Sequence, residues 1–545
     1  MPHLSILIWL PFLGMLIMAP GSRQGKNMYR WVSIVITLVQ LLWVLLAALP
    51  RFLSTRGQES IYLLEEEYSW IDFNLGELGR VHIDYFLAVD GLGMSLILLT
   101  TLIMPIAVIS SWKIGKNVKG YFMLLMLLDM SMIGVFCALD FFLFYLFYEF
   151  MLLPMFFLIG LWGGPRKEYA SLKFFIYTLV GSVFMLLIII GLLFSFTDAD
   201  RTSPEQRVYT LNMLHMMATE GGQLINVVPD SIFDVGSTLL GANARFLAFA
   251  VLFVGFAIKL PMIPVHTWLP DAHVEAPTPI SVILAGILLK VGGYGMLRIC
   301  FGIFPDGAVH FQWYVGLMGV ISIVYGAMVA MAQKDLKRLV AYSSISHMGF
   351  HMLGISSLTV VGMSGAVYQL FTHGIISAML FLIVGVIYDR VHDRTIENFR
   401  GLWNLMPRFA FFTLIGFFAS LGMPGFAAFV SELLVFMGGF QSAMEGGLPF
   451  WMPIVGTLGI VLGAVYYLRT FRQMFFGQFD RENTSQWRGL LKDLEPREYL
   501  MLLPLAALIV ILGVWPSLVL EIFDSSMDTY VSDLVNRGRG LLRNI

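Results

Sequence analysis

Residues 246–298 read FLAFAVLFVGFAIKLPMIPVHTWLPDAHVEAPTPISVILAGILLKVGGYGMLR. Two apolar runs, 246–269 and 280–298, flank a proline-rich turn, and each carries one lysine, Lys259 and Lys290. A helix of about 20 apolar residues covers the hydrocarbon of a bilayer. A charge at that depth costs about 2.5–3.5 kcal/mol on insertion scales, so intramembrane charges mark function by default. Pro261 and Pro264, just after Lys259, leave backbone groups that lipid cannot satisfy and that must face protein or water. The stretch predicts a membrane-embedded helical fold with a broken, charged span inside it.

The rest of the 545 residues agrees. Hydrophobic residues make up 58% and charged residues 13%, and mean hydropathy is +0.79, outside the balance of soluble domains. The net charge of -2 gives no footprint for a nucleic-acid partner. Apolar segments fall near 4–20, 31–50, 91–111, 121–138, 141–162, 174–196, 246–269 and 280–298. Others fall near 312–332, 339–357, 361–388, 409–440, 452–476 and 499–520, for about fourteen spans in all. None alternates as a barrel strand would, so an all-α polytopic membrane protein is expected. The opening MPHLSILIWLPFLG has no basic region or small-residue cleavage site and reads as a retained first span. Cys137 and Cys300 lie in or beside apolar stretches and read as packing residues.

Basic residues set the orientation. Lys113, Lys116 and Lys119 follow the third span, and Arg166, Lys167 and Lys173 the fifth. Lys334, Lys337 and Arg338 follow the ninth, Arg390, Arg394 and Arg400 the eleventh, and Arg469, Arg472, Arg481 and Arg488 the thirteenth. The opposite face carries the acidic 51–90 loop with Glu65, Glu66 and Glu67. Both termini are expected on the outer side.

Further charges sit where water is scarce. Glu149 lies within 141–162, and Glu432 beyond Pro424 in 409–440, where Gly422 and Gly425 flank the proline. His347 and His373 add neutral-pH titrators at similar depth. His351 shares a helical face with His347. Asp129 is a further buried acid without an assigned role, and Asp140 reads as a wetted helix end. One such residue is commonly a packing ion pair. Two carboxylates and two ammonium groups on separate spans point instead to proton movement, because burial brings both group types towards neutral pKa. Paired interrupted helices mark inverted-repeat transporters. The expected division is three leading helices in 1–120, a first five-helix repeat in 121–300, and a second in 301–478. An inner loop, a last helix and an outer tail fill 479–545.

His266, Asp271, His273 and Glu275, in HTWLPDAHVEAPTP, match no zinc spacing and are read as part of a structural loop. With no GxGxxG after a strand, no Walker motif and no CxxC in the chain, no metal, nucleotide, flavin or cluster site is expected here.

AIKLPMIPVHTWLPDAHVEAPTPISVILAGILLKVGGYGMLR, followed in order by LVAYSSISHMG, FRGL and LGMPGFAAFVSE, resembles the antiporter-like membrane subunits of type I NADH–quinone oxidoreductase. Within them it is most similar to the subunit M branch, the counterpart of mitochondrial chain 4. The resemblance covers most of 85–480. It implies a fourteen-helix fold of two inverted five-helix repeats, broken at the seventh and twelfth helices. It implies further that Glu149 and Lys259 form a functional couple and that Lys290 is the central lysine. His347 and His373 would link the halves, and Glu432 would be the exit-side carboxylate. Under it NADH, FMN, iron–sulfur clusters and quinone belong to partner subunits, the neighbours are the L and N subunits and lipid, and the site is a bacterial inner membrane. A subunit of a multi-subunit sodium/proton antiporter or a membrane-bound hydrogenase, built from the same module, is the alternative. A third reading is a structural spacer, in which apolar replacement of the buried charges is neutral.

Overall fold

Apolar stretches long enough to span become helices, some of them with a proline inside, such as Pro105 in Gly91–Ser110 and Pro504 in Pro496–Val514. The computed structural model of the chain describes residues 3–22, 25–55, 62–202, 207–220, 223–477, 487 and 489–543. Arg481 and Arg488, counted above with the basic loops, lie outside the described residues. Helices occupy every stretch read above as a span. Among the described residues eleven are long and apolar enough to cross a membrane, and Leu4–Met18 and Pro407–Ser420 are shorter apolar helices. The protein is a multi-pass, mostly helical membrane protein.

Two helices form its interior. The spanning windows of Thr278–Phe301 and Val360–Val391 are wholly buried, so side chains on every face of them meet protein. Lys26–Thr55, Lys167–Leu193 and Trp451–Phe475 lie at the periphery, with much of their apolar surface uncovered. The stretches 246–269 and 409–440 divide as their prolines require. The first gives Ala244–Lys259 and Trp268–Glu275, the second Pro407–Ser420 and Ala427–Met444.

Outside the spans the structure adds features that hydropathy does not carry. The acidic 51–90 loop holds β1 (Leu63–Asn74) and β2 (Arg80–Val89), paired antiparallel, and β3 (Val208–Thr210) pairs with β2 in parallel. β2 is buried along most of its length while β1 is largely exposed. The expected outer tail is a 26-residue helix, Ser517–Leu542. Val519, Ile522, Phe523, Met527, Val531 and Leu534 form its buried stripe at the three-to-four spacing of an amphipathic helix. Its Arg537 donates to the carbonyls of Met217 and Gly302, fixing it across the ends of the spans.

Candidate functional site

Asn243 caps Ala244–Lys259, its side chain accepting from the amides of Arg245 and Phe246. Lys259 is the last helical residue, and Pro261, which has no N–H, ends the helix there. The carbonyl of Ile258 is satisfied by Trp268 Nε1 at 2.8 Å, and the amide of Ile263 donates to Ser322 Oγ at 3.3 Å. The break is thus closed by protein. Gly292 fits against it, since a Cβ there would lie 2.7 Å from the amide nitrogen of Leu260. Lys259 is buried, with Nζ 4.4 Å from the centre of the Tyr148 ring, a cation–π contact.

Lys290 occupies the wholly buried Thr278–Phe301 segment, directly after a π-helical turn at Leu284–Leu288. Such turns loosen the regular carbonyl ladder and recur at functional sites. Lys290 Nζ donates to the carbonyl of Ala285, inside that turn, and lies 2.7 Å from His373 Nδ1. The rings of His373 and His347 are 5.5 Å apart, and His347 Nδ1 is 3.8 Å from Glu432 Oε1. Lys290, His373, His347 and Glu432 are all buried. Four titratable groups from four helices therefore follow one another in a line through the interior, hydrogen-bonded at the Lys290–His373 step and in looser approach at the other two. A side branch leaves it: His347 Nε2 contacts Ser420 Oγ at 3.1 Å, Ser420 donates to Tyr467 Oη at 2.7 Å, and Tyr467 donates to Ser343 Oγ at 2.9 Å.

Other residues singled out by sequence stand apart from this line. Glu149 is only partly buried, beside the exposed side chains of Phe150 and Leu153, so it sits at the lateral margin. It lies within electrostatic reach of Lys259, but among the described residues no ion pair joins them, and no hydrogen bond joins Lys259 to Lys290. Asp129, on Val118–Cys137, is wholly buried with Gln40 beside it, and among the described residues no ion pair joins it to the four. Asp140, expected as a wetted end, is instead fully buried and caps Phe141–Phe150 by accepting from the amides of Phe142 and Leu143. Pro261 and Pro264 fall in the first helical gap, and Pro424 falls in the second.

The HTWLPDAHVEAPTP segment is largely the helix Trp268–Glu275, and its polar groups diverge. Asp271 pairs with Lys173 at 2.7 Å and Arg338 at 3.1 Å, and Glu275 accepts from the Arg166 amide at 2.9 Å. His273 is wholly buried, its ring stacked on Phe381 and neither ring nitrogen hydrogen-bonded among the described residues. It lies within electrostatic reach of Lys290 and Lys337. In sequence it lies between the two lysine-bearing spans, 14 positions after Lys259 and 17 before Lys290. On the sheet side, ligand atoms of Asp198, Asp200 and His215 come within 4.8 Å of one another, but the guanidinium of Arg201 already pairs with Asp198, Asp84 and Glu67 there. Nearby, hydrogen bonding to Arg80 holds the Asp72 carboxyl below its usual range, and burial raises that of Asp84.

Apolar spanning helices around a set of buried ionisable side chains define the class: the chain is a multi-pass helical membrane protein. Residues 138–461 match the family described as NADH:quinone oxidoreductase/Mrp antiporter, TM. The chain is 38% identical over 536 residues to NADH-quinone oxidoreductase subunit M of Rhodobacter capsulatus, covering 96% of this chain and 95% of that one. It is 36% identical to the subunit M of Rickettsia prowazekii, covering 97% and 98%. A chain of the solved respiratory complex I from Thermus thermophilus superposes with a TM-score of 0.77 at 25% identity, over 98% of this chain and all of that one. The chain belongs to the NADH:quinone oxidoreductase/Mrp antiporter membrane family, on its subunit M branch.

Proposed function

We propose that this chain is a proton-translocating membrane subunit of an NADH–quinone oxidoreductase, itself free of redox chemistry. Protons move through Lys290, His373, His347 and Glu432, and the Glu149–Lys259 couple controls how Lys290 is loaded. The observation that supports this is the buried succession Lys290, His373, His347 and Glu432, with its first pair hydrogen-bonded. At 2.7 Å, Lys290 and His373 share one proton: two unit charges so close repel by about 6 kcal/mol at an effective dielectric constant of about 20. An imidazole accepts at one ring nitrogen and releases from the other, so His373 passes a proton towards His347 while Lys290 is left ready for the next. His273, between the basic face and Lys290, belongs to the same route. The side branch through Ser420 and Tyr467 supplies hydroxyls that re-orient as the proton passes.

Glu149 at the lateral margin suits electrostatic control, since a neighbouring subunit packed there changes the field felt by Lys259. The neighbours expected are the L and N subunits and lipid. NADH, FMN, iron–sulfur clusters and quinone are held by partner subunits. The chain lies in a bacterial inner membrane with both termini outside, and its pseudo-symmetric halves are 121–300 and 301–478.

Inside-out vesicles carrying the Lys290→Ala complex test the reading. Assembled complex with proton uptake reduced by about tenfold or more is expected; undiminished uptake overturns it. Copurification with NADH-oxidising subunits separates it from a stand-alone sodium/proton antiporter.

A further inference from the structure

A cavity of about 300 Å³ opens among the helix ends on the basic face. Its charged lining includes Lys113, Glu275, Lys337, Asp389, Arg394 and Arg497. Most of these have carboxylate or cation partners: Lys113 with Glu495 at 3.5 Å, Arg394 with Asp335 at 3.2 Å, Arg497 with Asp389 at 3.9 Å, and Glu275 with Arg166 at 3.7 Å. Lys337 differs. It is only 4% exposed, and among the described residues no carboxylate pairs with it. Its Nζ donates to the neutral carbonyl of Ala276 at 2.5 Å.

A buried ammonium held by one carbonyl is poorly compensated, and its cheapest relief is to release a proton. The charged groups facing it are Arg394, Asp335 and Glu275. On its inner side stands His273, three residues before Ala276 in the chain and within electrostatic reach of both Lys337 and Lys290.

We propose that Lys337 is a further proton-handling residue, the group through which the cavity exchanges protons with His273 and the central lysine. The inference rests on the proton-translocating reading above and extends it to the basic face. Water in the cavity protonates the free amine of Lys337. An N–H bond of its ammonium then breaks as an O–H bond forms on a bridging water, that water gives up a proton of its own to one ring nitrogen of His273, and the other ring nitrogen releases its proton towards Lys290. Each transfer leaves its donor neutral and moves one charge inward; His273 ends in its other tautomer, and turning of the ring restores the first before the next proton. Lys337 thereby sets which side loads the line.

Arginine and histidine substitutions test this in the intact complex. Lys337→Arg keeps the charge and a donor for Ala276 but holds its proton at all working pH values; Lys337→His exchanges protons readily. NADH-driven proton uptake into inside-out vesicles is measured against quinone reduction, with Lys290→Ala alongside. The expected result is assembled Lys337→Arg complex with uptake lowered by about tenfold or more, and Lys337→His retaining a larger share, its alkaline limb moved to lower pH. Wild-type uptake in Lys337→Arg overturns the proposal. Should that variant not assemble, an unshifted pH profile in Lys337→His overturns it instead. Loss in Lys290→Ala with normal Lys337→Arg sinks this inference alone; normal uptake in Lys290→Ala sinks the underlying reading.

Discussion

Lys290 Nζ and His373 Nδ1 lie 2.7 Å apart in a part of the protein closed to solvent on every side. Their helices are the two whose spanning windows are wholly buried, so neither group can turn outward to water. His373→Ala is expected to leave the fold intact and cut proton uptake by about tenfold or more. His373→Gln, which keeps a hydrogen-bonding group but carries no proton, should do the same. Uptake per quinone reduced is the measurement, and near-normal values in His373→Gln would remove histidine from the route.

Lys259 rests on the face of Tyr148, not on Glu149. Two roles therefore separate. Tyr148→Phe keeps the ring and should leave uptake within about twofold of wild type, because the cation–π contact does not need the hydroxyl. Glu149→Gln removes the long-range charge that acts on Lys259 and should lower uptake while NADH oxidation by the assembled complex persists. A loss in Tyr148→Phe as large as that in Glu149→Gln would mean that Lys259 depends on the hydroxyl as well as on the carboxylate.

The spans were legible because their signal is composition over about 20 residues, which no tertiary contact has to supply. The breaks were legible where proline comes with further signals, Pro261 with Pro264 close behind it and Pro424 between Gly422 and Gly425; the lone Pro105 and Pro504 stay inside their helices. What the sequence did not show depends on partners far along the chain. Lys290, His373 and Glu432 are legible as depths, but that Lys290 meets His373 across 83 positions is set by helix packing. The Ser420–Tyr467–Ser343 branch was missed because hydroxyls at helix-packing positions are ordinary in sequence. β1 and β2 were missed because a run of glutamates reads as a loop, although Glu66 and Glu67 pair with Leu87 and Phe86 of β2 in one sheet. Asp140 looked wet because it ends a span; its carboxyl is in fact used to start the next helix.

Arg245 and Asp306 form a bidentate pair at 2.7 and 2.9 Å with both side chains 0% exposed. It ties the start of Ala244–Lys259 to the short helix Pro305–His310, well outside the proton line. Arg245→Met leaves a buried carboxylate without its partner and should cost about 3–5 kcal/mol. The double variant Arg245→Met with Asp306→Leu removes both charges and should recover most of that loss. Thermal unfolding of the purified complex, with the yield of assembled protein, reads both outcomes, and uptake per assembled complex should stay unchanged.

Gly422 joins the second helical break to the carboxylate at the end of the line. Its φ is +74°, a left-handed conformation that costs an L-residue about 1–2 kcal/mol, and a Cβ built on it would run into Glu432 Oε2. Gly422→Ala therefore does two things at once: it strains the turn and pushes the carboxyl from its place 3.8 Å from His347 Nδ1. If that placement matters for transfer, proton uptake should fall more steeply than stability. Gly425→Ala separates the effects, because Gly425 has φ +92° with nothing within 4 Å of an added Cβ. It should cost similar stability and leave uptake per assembled complex near wild type. Equal uptake in the two variants would show that the position of Glu432 does not limit transfer.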